Sequence, residues 1–172
     1  MTGTLRTGTA AAFAVLLATG GCTVEQRTDR GASIPDTTPA QGRKEIVVVP
    51  GVARLPVFSS AVKSGDFVFL SGALGALPGV EPITLVEGGI GAETRQAMEN
   101  LRAVIEAAGG TMADMIKCSV FLADMSDYAA MNEVYLEYFP IDPPARSAMA
   151  VNGLAFDARL EIECIAALPA AR

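Results

Sequence analysis

From Ile46 onward, short apolar runs alternate with polar turns, and two longer stretches have helical spacing. Ile46–Val49 is a β-branched run closed by Pro50-Gly51, and Val57–Val62 and Phe67–Ser71 are two further apolar runs. Lys63-Ser64-Gly65-Asp66 between the latter two is short and contains glycine, which predicts a β-hairpin. The stretch from Ala73 to Gly91 is rich in glycine and contains Pro78 and Pro82, so it reads as a loop. Ala92 to Ala108 then has the 3.6-residue period of a helix. Ala97, Leu101, Val104, Ile105 and Ala108 form its apolar stripe; Glu93, Arg95, Glu99, Arg102 and Glu106 are expected to face water. Gly109-Gly110 ends it.

Ile116–Leu122 predicts another strand. Ser126 is a candidate N-cap for a second helix, Asp127 to about Phe139, with Met131, Val134, Tyr135 and Tyr138 on its apolar side. Prolines at 140, 143 and 144 forbid continuation. Ser147–Val151 and Leu160–Ala167 are the last two strands, joined through a loop at Gly153. This order implies a two-layer α+β domain with a sheet of five or six strands. Two helices can cover only one face of such a sheet. The other face is apolar enough to predict oligomerisation.

The first forty-five residues read differently. Residues 1–22 have the form of a targeting segment: Arg6 is a minimal positive region, and Ala10–Ala18 is an apolar run too short to span a bilayer. Thr19-Gly20-Gly21-Cys22 is similar to a bacterial lipobox, with Thr19 where Leu is usual. Acylation of Cys22 would make the protein an exported, membrane-anchored lipoprotein; ordinary signal cleavage would leave it periplasmic. Residues 23–45 lack apolar periodicity and read as a flexible linker. The folded domain is expected over 46–172.

Composition narrows the chemistry. The chain of 172 residues suits one domain. A net charge of -6 argues against nucleic acid as a partner, because phosphate neutralisation needs a basic footprint. The sequence contains no His, which removes the usual general base and the commonest metal ligand. Cys22, Cys118 and Cys164 match no zinc spacing, and no metal or cofactor is expected. Cys118 and Cys164 fall on predicted strands and read as small buried core residues rather than as a disulfide.

The most informative segment is Pro143-Pro144-Ala145-Arg146-Ser147-Ala148, followed after the Gly153 loop by Leu160-Glu161-Ile162-Glu163. Prolines hold Arg146 at the start of a strand, and a guanidinium matches a carboxylate bidentately. A Glu on a neighbouring strand would either pair with Arg146 as an ordinary salt bridge or work beside it. Spacing alone leaves both readings open.

Pro144-Ala145-Arg146-Ser147 together with Leu160-Glu161-Ile162 resembles the C-terminal signature of the RidA/YjgF family, the reactive-intermediate deaminases. Phe69-Leu70-Ser71-Gly72, the helix from Thr94 through Gly109, Lys117–Leu122 and Asp127-Tyr128 through Asn132-Glu133-Val134-Tyr135 agree with it in order and spacing. The resemblance covers roughly Ile46 to Leu168. It implies a chorismate-mutase-like α+β fold with two helices on one face, and a homotrimer with sites in the clefts between subunits. It also implies hydrolysis of 2-enamine and 2-imine acids to 2-keto acids and ammonia.

By the same resemblance, Arg146 would grip the substrate carboxylate and Glu161 would position the attacking water and move its proton. Ser71 and the backbone of Gly72 would contact the polar end of the ligand, with Asn132 near the cleft. Two positions depart from the family pattern. Phe58 stands where the family has an active-site Tyr, keeping the ring and losing the hydroxyl, and Ala73 follows Gly72 where Gln is common. These departures keep a second function open, a non-catalytic protein binding small carboxylates in the same cleft. A third reading is a structural subunit with a vestigial cleft.

Overall fold

The computed structural model describes residues 44–50 and 56–169. Residues 1–22 and the linker up to residue 43 lie outside the described residues, so the targeting segment and Cys22 have no structural account here.

Among the described residues, six strands and two α-helices follow in the order β1 (Glu45–Val47), β2 (Ala61–Ser64), β3 (Phe67–Ala73), α1 (Gly89–Ala107), β4 (Met115–Leu122), α2 (Tyr128–Tyr138), β5 (Ala145–Ala150) and β6 (Leu160–Ala167). They form one mixed sheet in the order β1-β2-β3-β6-β4-β5. All neighbours are antiparallel except β4 and β5, which run parallel because α2 is the crossover between them. The α+β architecture and its element order are those expected.

The differences are local and have local causes. Val57 and Phe58 precede β2 rather than belonging to it, so the hairpin is shorter on that side. The first helix begins at Gly89, inside the expected loop. Ser126 does not cap the second helix. Asp124 instead accepts from the Ser126 backbone N–H at 2.8 Å and starts a one-turn helix, Met125–Asp127, and α2 follows from Tyr128. Gly109 adopts a left-handed φ of 89° and the Gly110 N–H bonds Ile105 O, closing α1.

Period-two alternation fixes the layers. On β4, Cys118, Val120 and Leu122 are buried; on β6, Leu160, Ile162, Cys164 and Ala166 are. They pack with Met98, Leu101 and Ile105 of α1 and Met131 and Tyr135 of α2 in one core. Contrary to expectation, Cys118 and Cys164 are joined in a disulfide as well as buried. They are directly opposed in the β4–β6 ladder, with Cα atoms 4.1 Å apart, a juxtaposition that spacing along the chain does not reveal.

The opposite face carries Phe67, Phe69, Ile165, Phe121 and Met149 beside Lys117, Ser119, Ser147, Glu161 and Glu163, as the pairing register requires. Phe67, Phe69 and Met149 are exposed there.

Candidate functional site

The residues singled out from the sequence fall into two groups. The first lies on the open face, where β3 meets β6. Leu70 pairs with Cys164 and Ala73 with Ile162, so β3 has one residue too many between them. This β-bulge sets Ser71 and Gly72 together opposite Glu163. The Ser71 hydroxyl donates to Ser59 O at 2.7 Å, and its N–H donates to Ser60 O at 3.0 Å, tying the bulge to the segment before β2. The Glu161 side chain lies against Gly72 so closely that a Cβ there would overlap its carboxylate. Only glycine permits this approach.

Glu161 has no cationic partner among the described residues. Burial raises its carboxyl above the ordinary value, and the charge of Glu163 adds to the effect. Phe58 is 51% exposed and lines an open concavity of about 650 Å³ together with Lys44, Ser59, Val62 and Ser71.

The second group lies on the helix-covered face, at the sheet edge. Arg146 stands in register with Cys118 of β4 and projects toward α2. Its guanidinium carbon is 4.6 Å from the Tyr135 ring centroid and 5.6 Å from that of Tyr128. One guanidinium nitrogen donates to the Tyr128 hydroxyl at 3.2 Å. Asn132 stands one turn along α2, and its amide and then the Arg146 charge hold the Tyr128 pKa below its ordinary value. Tyr135 is buried, its hydroxyl has no partner among the described residues, and burial pushes its pKa up to about 12.

The two groups do not meet within one chain. β4 separates β5 from β6, so Glu161 is not on the strand next to Arg146. Arg146, Cys118 and Cys164 share one face, and Glu161, three residues from Cys164, is on the other. The ordinary Arg146–Glu salt bridge is absent among the described residues. Glu163 is exposed, on the Glu161 face.

Two aromatic residues of α2 were not read as site residues from the sequence. Tyr135 was placed with the apolar stripe and Tyr128 only within the family match. Their seven-residue spacing, with Asn132 between, was the available signal. Glu93, expected to face water, is buried and accepts from the Arg159 backbone N–H at 2.9 Å, while Arg159 pairs with Asp127 at 2.8 Å. These contacts pin the start of β6, just before Glu161. Among the described residues, no group of three or more acidic or Cys side chains is placed to hold a metal ion.

Comparison with known proteins agrees with this fold. The family model described as Endoribonuclease L-PSP matches residues 52–168. A RutC family protein of Pyrococcus horikoshii is 43% identical over 126 residues, covering 72% of this chain and 97% of its own. A 2-iminobutanoate/2-iminopropanoate deaminase of Dermatophagoides farinae is 40% identical over 124 residues, covering 71% of this chain and 94% of its own. The crystal structure of E. coli TdcF with bound serine superposes with a TM-score of 0.67 at 32% identity, covering 73% of this chain and all of its own. The family model and these matches place the chain in the Endoribonuclease L-PSP family, the RidA/YjgF family.

Proposed function

We propose that the protein hydrolyses 2-imino acids, and the enamines that tautomerise to them, to 2-keto acids and ammonia in clefts where copies of the chain meet. The observation that carries this reading is Glu161, a desolvated carboxylate with no cation beside it among the described residues, pressed against the Gly72 backbone. Its raised pKa makes it a stronger proton acceptor than an ordinary carboxylate, as a group that takes up a proton and returns it requires. The deaminase named among the relatives supports the same chemistry. The family description also names a ribonuclease, but a net charge of -6 does not favour a polyanionic substrate.

In this mechanism Arg146 holds the substrate carboxylate and Glu161 holds a water. The water oxygen bonds to the imine carbon, one of its protons passes to Glu161, and the C=N π electrons move to nitrogen, which takes that proton from Glu161 to give a carbinolamine and leaves the carboxylate free again. Glu161 then relays the hydroxyl proton to nitrogen as the carbonyl forms and ammonia leaves. The sum is C=NH plus water to C=O plus ammonia. The imine carbon is already electrophilic, so positioning and a base supply most of the requirement.

Arg146 and Glu161 occupy opposite faces, so a productive cleft takes Arg146 from one copy and Glu161 with Gly72 from the next. Arg146 lies on β5, a sheet edge open to a neighbour, and exposed Phe67, Phe69 and Met149 give the open face something to bury. A closed trimer meets both requirements. Export of the domain, with acylation or cleavage near Cys22, is supported by the Cys118–Cys164 disulfide, a bond typical of oxidising compartments.

The test is to generate 2-iminobutanoate in situ with an auxiliary dehydratase and follow loss of the imine. Wild type should accelerate it, and Arg146→Ala and Glu161→Gln should each lose about 10²–10⁴-fold in kcat/KM. No acceleration by wild type would favour the binding-protein reading. Acceleration that survives Arg146→Ala would remove the site. Cys22→Ser should release the protein from membranes if the lipid anchor exists; unchanged fractionation would refute the anchor.

A further inference from the structure

We propose that Tyr128 is a second ligand-binding residue, whose hydroxyl donates to the same carboxylate that Arg146 grips. The inference rests on the reading of Arg146 as a carboxylate clamp and adds a residue to it. It follows from counting donors and acceptors. The Tyr128 oxygen accepts from the Arg146 guanidinium at 3.2 Å. A phenol oxygen has two acceptor positions and one proton. The Arg146 N–H takes an acceptor position, and the proton of the hydroxyl has no acceptor among the described residues, so the O–H is left to donate.

Arg146 shows the complementary account. A guanidinium has five N–H donors. Among the described residues the only hydrogen bond from Arg146 is the one to Tyr128, and no carboxylate is paired with it. One face of the guanidinium lies over the Tyr135 ring, which fixes its plane. Tyr128 is itself 36% exposed. An Arg fork and a phenol O–H therefore stand side by side at an accessible edge, all donors, with nothing anionic to receive them. A carboxylate is the ligand group this arrangement fits. The lowered pKa of Tyr128 makes its hydroxyl a stronger donor.

Asn132 is then a positioning residue. It sits four residues after Tyr128 on the same face of α2, with its amide beside the phenol. Its role in the site passes through Tyr128.

Titrating the full chain with 2-oxobutanoate, the product of imine hydrolysis, tests the proposal by measuring Kd for wild type, Tyr128→Phe, Asn132→Ala and Arg146→Ala. Tyr128→Phe keeps the ring and removes only the hydroxyl. It should weaken binding about tenfold, the loss of one charge-assisted hydrogen bond. Its KM for the imine should rise by a similar factor with kcat within about twofold, as expected for binding lost equally from ground and transition states. Asn132→Ala should weaken binding less, and adding it to Tyr128→Phe should cost nothing further.

A Tyr128→Phe variant that binds 2-oxobutanoate as wild type does would overturn the proposal, while loss of binding in Arg146→Ala would leave the clamp standing. Unchanged binding in Arg146→Ala would instead overturn the clamp. A tenfold loss in Tyr128→Phe whose melting temperature has fallen by many degrees would count against a direct contact, because an exposed hydroxyl at the start of a helix should not govern folding.

Discussion

The two faces of the sheet are built for different tasks. The covered face is dry and cross-linked: Cys118, Val120, Leu160, Ile162 and Cys164 are essentially inaccessible beneath the two helices, and the disulfide joins its central strands. The open face is mixed, with Phe67 and Phe69 beside Glu161, Glu163 and Lys117. A carboxylate is tolerated at Glu161 because that face is only partly buried, yet burial is still sufficient to raise its pKa. Arg146 is at the edge of the covered face and borrows its aromatic packing. Arg146 and Glu161, the clamp and the base of the proposed mechanism, are held on opposite sides of one sheet, with the disulfide-linked core beneath the helices.

The largest effect should come from mixing the halves. Arg146→Ala and Glu161→Gln proteins, each inactive alone, are unfolded together and reassembled. If each cleft combines the two faces from neighbouring copies, about a quarter of the clefts in a random equal mixture regain both residues, and activity returns to about that fraction of wild type. A mixture as inactive as its components would place both residues in a cleft of one copy and break the comparison.

The disulfide sharpens the contrast in stability. It closes a sequence separation of 46 residues, for which the chain-entropy estimate is about 4 kcal/mol. A Cys118→Ala/Cys164→Ala double variant should therefore melt about 10–15 °C lower. A shift of a degree or two would mean that the covered face does not depend on this bond.

The smallest effect belongs to Glu161. Its carboxyl binds a proton more tightly in the folded chain than in the unfolded one, so its ionised form costs stability. That cost is absent below the unfolded pKa and grows as pH rises through the higher folded value. Glu161→Gln should melt slightly higher than wild type at pH 7, and the gap should close by pH 4. Deaminase activity should move the opposite way, falling as pH drops through the raised value because the base must be unprotonated. An acid limb at or below the ordinary carboxylate value would show that burial of Glu161 does not tune the base.

Much was legible in the sequence because it is local. The run Leu160–Ala167 has the alternation of a half-buried strand, and β6 has those bounds. Ala97, Leu101 and Ile105 mark the buried stripe of α1 by spacing alone, and Gly109-Gly110 marks its end. Arg146 and Glu161 stood out by residue type and order, and the resemblance to the family added Ser71 and Gly72.

What the sequence left open are relations between distant segments. Periodicity tells which residues of a strand share a face, but not which strand lies beside it. Insertion of β4 between β5 and β6 separated Arg146 from Glu161, and the β4–β6 register brought Cys118 onto Cys164. Glu93 faces inward because the start of β6 offers it the Arg159 N–H. Tyr128 comes beside Arg146 because the β4–α2–β5 crossover lays α2 over β5. Strand order and the packing of helix on sheet are set by burial of the whole core, a sum over contacts far apart in the chain, so only the tertiary structure could decide them.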